Sequence, residues 1–185
     1  MNKKGNWKIL SSEIVYQNNW ITVTQDNVID SKDNKGIFGI VRMKSGSSVL
    51  PIDTNGNVYL VSEYKYAIES DSIEVISGGN NGNETHEETA RRELKEETGI
   101  ITGRLIYLGF INPFTTIINS PNYMYLALDL DFGKSNPDTT EVLKIHKVHF
   151  TQALNWVNDG TITHGASVVL ILKAKPIYEN LFHSN

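Results

Sequence analysis

The chain has 185 residues, 39% of them hydrophobic and 21% charged, with a net charge of −4 and no cysteine. That suits one globular domain with room for a small N-terminal extension. It excludes disulfides, thiolate nucleophiles, cysteine-zinc sites and iron–sulfur clusters, and a general basic surface for nucleic acid is absent.

The opening "MNKKGNWKILSSEIVY" has no apolar core, so it does not read as a signal peptide, and no apolar run reaches the roughly 18 residues of a membrane span. A cytoplasmic location is the expectation. "WKILSSEIVY" and "WITVTQDNVI" predict two strands with "QNN" as the turn between them. After the turn "SKDNKG" comes the strand "IFGIVRM". "SSVLPI" and "NVYLVSEY" are two more, joined by "DTNG", whose Asn-Gly predicts a hairpin. "IEVIS" reads as one short buried strand. "RLIYLGFI" and "NYMYLALDL" are strands separated by the loop "NPFTTIINSP", and "LKIHKVHF" alternates weakly. "TQALNWVNDG" predicts a helix capped by Thr151 and stopped at Gly160. In "SVVLILKAKPIYENLF", Pro176 should end or kink a helix. The pattern is a mixed or antiparallel sheet with two or three helices, an α+β or α/β sandwich and not a repeating βαβ array.

The informative stretch is "GGNNGNETHEETARRELKEETGI", Gly78 to Ile100. It holds six glutamates against Arg91, Arg92 and Lys95, a net −3 that is most of the chain's charge. Between Glu84 and Thr98 there is no Gly or Pro, and Gly99 suits the position after a helix end. The segment therefore reads as loop, helix, stop. At about 100° per residue, Glu93, Glu96 and Glu97 share an arc of about 100°. Glu87, Arg91 and Lys95 follow at i, i+4 on the far side and predict a solvated ion-pair ladder. Charge pairing accounts for that second set, but three carboxylates near a helix C-terminus repel each other and oppose the dipole. Arg92 can offset part of this. A hard divalent cation is the natural partner for the rest, magnesium or manganese ahead of zinc in a chain without cysteine.

These residues resemble the Nudix box, G-x5-E-x7-R-E-U-x-E-E-x-G-U with U aliphatic. Gly78, Glu84, Arg92, Glu93, Leu94, Glu96, Glu97, Gly99 and Ile100 fill it in order. The resemblance implies the Nudix fold, an α/β/α sandwich with the box helix and C-terminal helices around a mixed sheet, and N-terminal antiparallel strands besides. It implies hydrolysis of a nucleoside diphosphate linked to another moiety, with Mg²⁺ or Mn²⁺ as cofactor. Carried over, Glu93 and Glu97 are the main metal ligands, with Glu96 and the Ser77 carbonyl as further ones. Arg92 orients the carboxylates, Glu84 braces the loop, and Gly78 gives the backbone room.

The wider arrangement is similar to that of ADP-ribose (ADP-sugar) pyrophosphatases. "NVYLVSEYKYAIESDSIEVISGG" looks like their lead into the box, and "TEVLKIHKVHFTQALNWVNDGTITHGASVVLIL" like their C-terminal part. Residues 1–43 look like their extra β subdomain, used for dimerisation, ahead of a hydrolase domain at 44–185. The expected substrate is ADP-ribose, cleaved to AMP and ribose 5-phosphate by a homodimer. The alternatives are a GDP-sugar or an oxidised nucleoside triphosphate, or a non-catalytic sensor that binds ADP-ribose. There are departures too. Ile76 and Ser77 stand where proline and alanine are usual, and Glu63-Tyr64-Lys65 where Gln-Tyr-Arg is usual. Lysine is a point charge and not a bidentate fork. A late acidic loop offers Glu141 as ligand or base, with Asp138 nearby and Thr139 where some members carry a glutamate. Lys65, Tyr64 and Phe114 are the substrate-binding candidates. Trp20 and Phe110 are further aromatics that could serve the base. His86, His146, His149, His164 and His183 show no metal-ligand spacing and receive no role.

Overall fold

Val49 and Leu50 are neighbours in one strand, both fully buried, and they enter different cores. In the computed structural model, which describes residues 3–133 and 143–182, that strand lies between helices on both of its faces.

The chain divides into two compact units. The first comprises Met1–Ser45 and Asn112–Pro121, the second Gly46–Ile111 and Asn122–Asn185. The segment Asn112–Pro121 thus belongs with the N-terminal residues although it lies far along the chain.

In the first unit, β1 (Lys3–Lys4), β2 (Trp7–Gln17), β3 (Ile21–Ile29) and β4 (Lys35–Met43) form an antiparallel meander. A two-residue strand β10 (Ile118–Asn119) adds to β4 in parallel and completes a five-stranded sheet.

The second unit contains β5 (Gly46–Pro51), β6 (Asn57–Lys65), β7 (Ser70–Glu74), β8 (Ile76–Gly79), β9 (Ile100–Ile111), β11 (Asn122–Phe132) and β12 (Lys144–His149). Its helices are α1 (His86–Thr98), α2 (Phe150–Asn158) and α3 (Gly165–Phe182). One sheet has the order β8-β5-β11-β9, with β5 and β11 parallel and the other pairs antiparallel. The other has the order β12-β6-β7 and is antiparallel.

Strand alternation supplies both cores. Leu50, Met124, Leu126 and Leu128 pack with Phe150 of α2 and with Leu170, Ile171 and Ala174 of α3. Val49, Ile76, Tyr125 and Ala127 pack on Ala90 and Leu94 of α1. Buried on both faces, these strands read as apolar runs instead of alternating ones. The result is the α+β fold expected, a mixed sheet between the box helix and the C-terminal helices.

Several local expectations are corrected. The turn after β5 forms, with Gly56 at φ 75° and its N–H donating to the Asp53 carbonyl. No hairpin follows, because β5 and β6 diverge into different sheets after a single Ile52–Val58 bridge. "IEVIS" is likewise not one strand. It breaks at Val75 into β7 and β8, which pair in different sheets, and the Val75 N–H donates to the Ser167 hydroxyl at 2.9 Å. Thr151 lies inside α2, not at its cap. Burial of Phe150 starts the helix earlier, and the Thr151 hydroxyl sits 2.9 Å from Nδ1 of the cap residue His149. Finally, of the two outcomes expected at Pro176, an end and a kink, the first does not occur, since α3 runs on to Phe182.

Candidate active site

The box helix α1 is built to start and stop where it does. The Thr85 hydroxyl accepts from the Glu88 N–H at 3.2 Å, and the Glu88 carboxylate accepts from the Thr85 N–H at 2.7 Å. This reciprocal cap is worth about 1 kcal/mol, and Glu87 and Glu88 in the first turn suit the dipole. Gly99 ends the helix at φ 74°, its N–H donating to the Lys95 carbonyl at 2.9 Å. The inner face is anchored by buried Ala90 and Leu94, which leaves Glu93, Glu96 and Glu97 at the side.

Arg92 is the hub of the loop–helix–loop. It grips Glu84 with two hydrogen bonds, Nε to Oε2 at 3.1 Å and Nη2 to Oε1 at 2.9 Å. Nη2 also donates to the Gly79 carbonyl at 3.1 Å. Nη1 lies 2.8 Å from Glu93 Oε1 and 2.9 Å from Glu96 Oε2. Three carboxylates thus share one guanidinium, a planar donor suited to such bridging. The Arg92 bond holds the Glu84 carboxyl down at about 2, although burial works the other way, and the same partners raise the pKa of Arg92. Glu84 also accepts from the Asn81 N–H at 3.1 Å, which ties the preceding loop to the helix.

Gly78 in β8 lies against Glu93. A Cβ at this position would collide with the Glu93 carboxylate. Next to it is a narrow polar cleft of about 40 Å³, lined by Glu63, Lys65, Ser72, Glu74, Ser77 and Glu97 together with apolar residues. That volume suits an ion or a water or two, not a nucleotide. Lys65 Nζ lies 2.7 Å from Glu63 and 3.9 Å from Glu74. Nδ1 of His164 sits 3.4 Å from Glu74 and 2.8 Å from the Ser167 hydroxyl. Burial pushes the pKa of His164 down, Glu74 opposes that, and Lys65 reinforces it.

Ser77, Glu97 and Lys65 therefore line one cleft, while Glu93 and Glu96 are gathered on Arg92. Among the described residues, no three Asp, Glu or His side chains converge as a ready-made cation cage. The donor set nonetheless fits a hard divalent ion: carboxylate oxygens from adjacent turns of one helix, and a carboxylate lodged where a larger residue 78 would intrude. Tyr64 alternates to the other face of β6, does not line the cleft, and is 57% exposed. Phe114 belongs to the first unit and is 51% exposed. Glu141, Asp138, Thr139 and His183 lie outside the described residues. The ladder on the far face reduces to Glu87–Arg91 at 2.9 Å, because Lys95 follows a like charge at i−4.

The sequence marks Glu63 only as a departure from the usual glutamine, gives His164 no role, and does not single out Glu74. The i, i+2 spacing of Glu63 and Lys65, set against Ser72 and Glu74, was the available signal, since it places all four on one face of a strand pair. A second cleft, of about 360 Å³, lies within the first unit, with Trp7, Val28, Phe38 and Ile40 in its walls and Lys4 and Asp26 among its polar lining.

A mixed-sheet fold with an arginine-organised loop–helix–loop of glutamates is that of a Nudix-type protein. A model of the NUDIX domain matches residues 43–165, and one of the nucleoside diphosphate sugar hydrolase N-terminal domain matches residues 7–41. The chain belongs to the NUDIX family and is a Nudix hydrolase that carries a nucleoside diphosphate sugar hydrolase N-terminal domain. It is 27% identical over 139 residues to the ADP-ribose pyrophosphatase of Escherichia coli K12, a match spanning 66% of this chain and 64% of that enzyme. It is 21% identical over 166 residues to the CMP-5'-(N-acetyl-N-hydroxy-3-aminopropyl)phosphonate hydrolase of Streptomyces rubellomurinus, covering 89% and 81% of the two chains. A crystal structure of an ADP compounds hydrolase superposes over 100% of both chains with a TM-score of 0.85 at 19% identity, a likeness of fold. No helix of the described residues is long and apolar enough to cross a membrane.

Proposed function

We propose that the protein hydrolyses the pyrophosphate bridge of a nucleoside diphosphate sugar in the presence of Mg²⁺ or Mn²⁺, with ADP-ribose as substrate and AMP and ribose 5-phosphate as products. The observation that carries this reading is the Arg92 hub, which gathers Glu84, Glu93 and Glu96 beside the cleft that Glu97 enters.

Glu93, Glu96, Glu97 and the Ser77 carbonyl would hold the ion. When bound, a divalent ion neutralises phosphate charge and lowers the pKa of its water. The protein's own groups do the rest. Arg92 fixes two of the carboxylates in direction, and Gly78 leaves the space that one of them occupies. The cleft admits water, whose oxygen bonds to phosphorus as the bond to the bridging oxygen breaks. Glu141 accepts the proton or joins the ligands. Lys65 offers a point charge to the phosphates, and the exposed rings of Tyr64 and Phe114 are available to the base. A cytoplasmic homodimer, paired through the N-terminal β subdomain, is part of the same reading. Exposed Leu10, Ile14, Val15 and Tyr16 on β2 support that pairing.

The two relatives are named for a CMP compound and for ADP-ribose, so relationship alone leaves the base open. A panel of ADP-ribose, GDP-sugars and oxidised nucleoside triphosphates with Mg²⁺, followed by product analysis, tests the assignment. AMP and ribose 5-phosphate from ADP-ribose is the expected outcome. Faster turnover of another substrate replaces the substrate, and micromolar ADP-ribose binding without turnover overturns the enzyme reading in favour of a sensor.

A further inference from the structure

Strand pairing places Glu63 of β6 opposite Ser72 of β7, and Val61 opposite Glu74. Residues two apart share a face, so Glu63, Lys65, Ser72 and Glu74 project together into the cleft that Glu97 enters from α1. One cation stands among three carboxylates. Lys65 is held tightly by Glu63 at 2.7 Å and loosely by Glu74 at 3.9 Å. Burial works against its charge, but the Glu63 bond and the fields of Glu74, Glu63 and Glu97 outweigh it and raise the pKa of Lys65. Arg92, by contrast, is locked by three carboxylates and a carbonyl. Lys65 is the site's second cation, on a flexible stem with one short bond, in a space of about 40 Å³.

We propose that Lys65 is a resident counter-cation which weakens divalent-ion binding at the Glu97 carboxylate in the nucleotide-free protein. The inference rests on the metal-dependent reading above. A divalent ion entering the cleft meets a positive charge already neutralising the same field. A phosphate, as an alternative partner for the ammonium, draws it aside. Nucleotide and ion then favour each other's binding, a coupling that runs equally in both directions. Lys65 is in this respect a positioning residue, setting the order in which the site fills.

The test is direct titration of nucleotide-free protein with Mn²⁺, reading free ion by electron paramagnetic resonance. Lys65→Met is expected to bind Mn²⁺ roughly tenfold more tightly than the wild type, the order that one nearby unit charge exerts on a divalent ion. Lys65→Arg keeps the charge and should stay near the wild-type value. The double variant K65M/E97Q should lose the gain. If it keeps the gain, the ion sits on Glu63 and Glu74 and the proposal is overturned. Equal or weaker binding by Lys65→Met overturns it as well and leaves the metal reading standing. Absence of Mn²⁺ binding in both proteins removes the metal reading and the proposal together. Lys65→Gln gives the same readout should Lys65→Met fail to fold.

Discussion

The Glu93 carboxylate occupies the space that a side chain at Gly78 would need. A Cβ built there would stand 2.6 Å from Glu93 Oε2 and closer still to Oε1. The colliding group is the far end of a flexible side chain, so the fold can yield by turning Glu93 away. Activity cannot yield in the same way if that carboxylate holds the ion. Gly78→Ala is expected to lose about a hundredfold or more in kcat/KM, a loss of the size seen when catalytic geometry is displaced by an ångström, while its melting temperature moves by only a few degrees. Wild-type kcat/KM in the folded variant would remove Glu93 from the site.

Arg92 bridges Glu84, Glu93 and Glu96, and no lysine can reproduce that geometry from one nitrogen. Arg92→Lys should retain the fold and lose about 10–100-fold in activity, the usual cost of removing a group that orients metal ligands. Arg92→Ala leaves three partly buried carboxylates facing each other and should cost about 1–3 kcal/mol of stability besides. Urea unfolding alongside steady-state kinetics separates the two effects. Equal activity for Arg92→Lys and wild type would contradict the bridging role.

The helix that carries the site was legible because its physics is local. Thr85, Glu88, Leu94 and Gly99 set its start, its inner face and its end within one short segment. The arc of Glu93, Glu96 and Glu97 follows from helix periodicity alone. What failed to show was non-local. Asn55-Gly56 makes its turn as the local rule requires, but the sheets that β5 and β6 join are decided by β11 and β12, far along the chain. The break at Val75 depends on Ser167, 92 residues away. Glu63 and Glu74 enter the cleft only after β6 and β7 pair, and each looks like an ordinary strand acid until then.

Pro176 shows tertiary packing overruling a local signal. A proline inside a helix costs about 3 kcal/mol relative to alanine, through a lost hydrogen bond and a clash with the carbonyl four residues back. That carbonyl belongs to Leu172, a residue on the exposed side of α3. On either side, Ala174 and Tyr178 are buried in the core with Phe150, and this burial holds the helix through the break. Pro176→Ala should therefore stabilise the protein. Part of the gain is offset by the freer unfolded chain, worth about 0.4–1 kcal/mol. A net gain of about 2 kcal/mol is expected, seen as a rise of roughly 4–8 °C in melting temperature. A fall in melting temperature would mean that the proline itself contributes to how α3 packs.

Glu84 links the site to acid stability. Its carboxyl sits at about 2 in the folded protein against an ordinary 4.5, chiefly because Arg92 binds the charged form. The folded state therefore holds fewer protons on this group than the unfolded state between those values. The stability it adds is fully present above about 4.5 and is lost as the pH falls toward 2. Asp53, also at about 2 through Asn57, Asn55 and Lys147 against the effect of burial, is lost over an overlapping window, so the acid slope of the wild type alone cannot be assigned to either group. The difference between Glu84→Gln and wild type isolates one of them. At neutral pH the variant should melt several degrees lower, and the gap should close steadily as the pH drops below about 4.5, since protonation removes in the wild type what the substitution removed already. Melting curves taken in steps from neutral pH to about pH 3 measure this directly. A gap that stays constant across the window would mean that Glu84 acts through its shape and neutral hydrogen bonds, and that the Arg92–Glu84 charge pair adds nothing to the folded state.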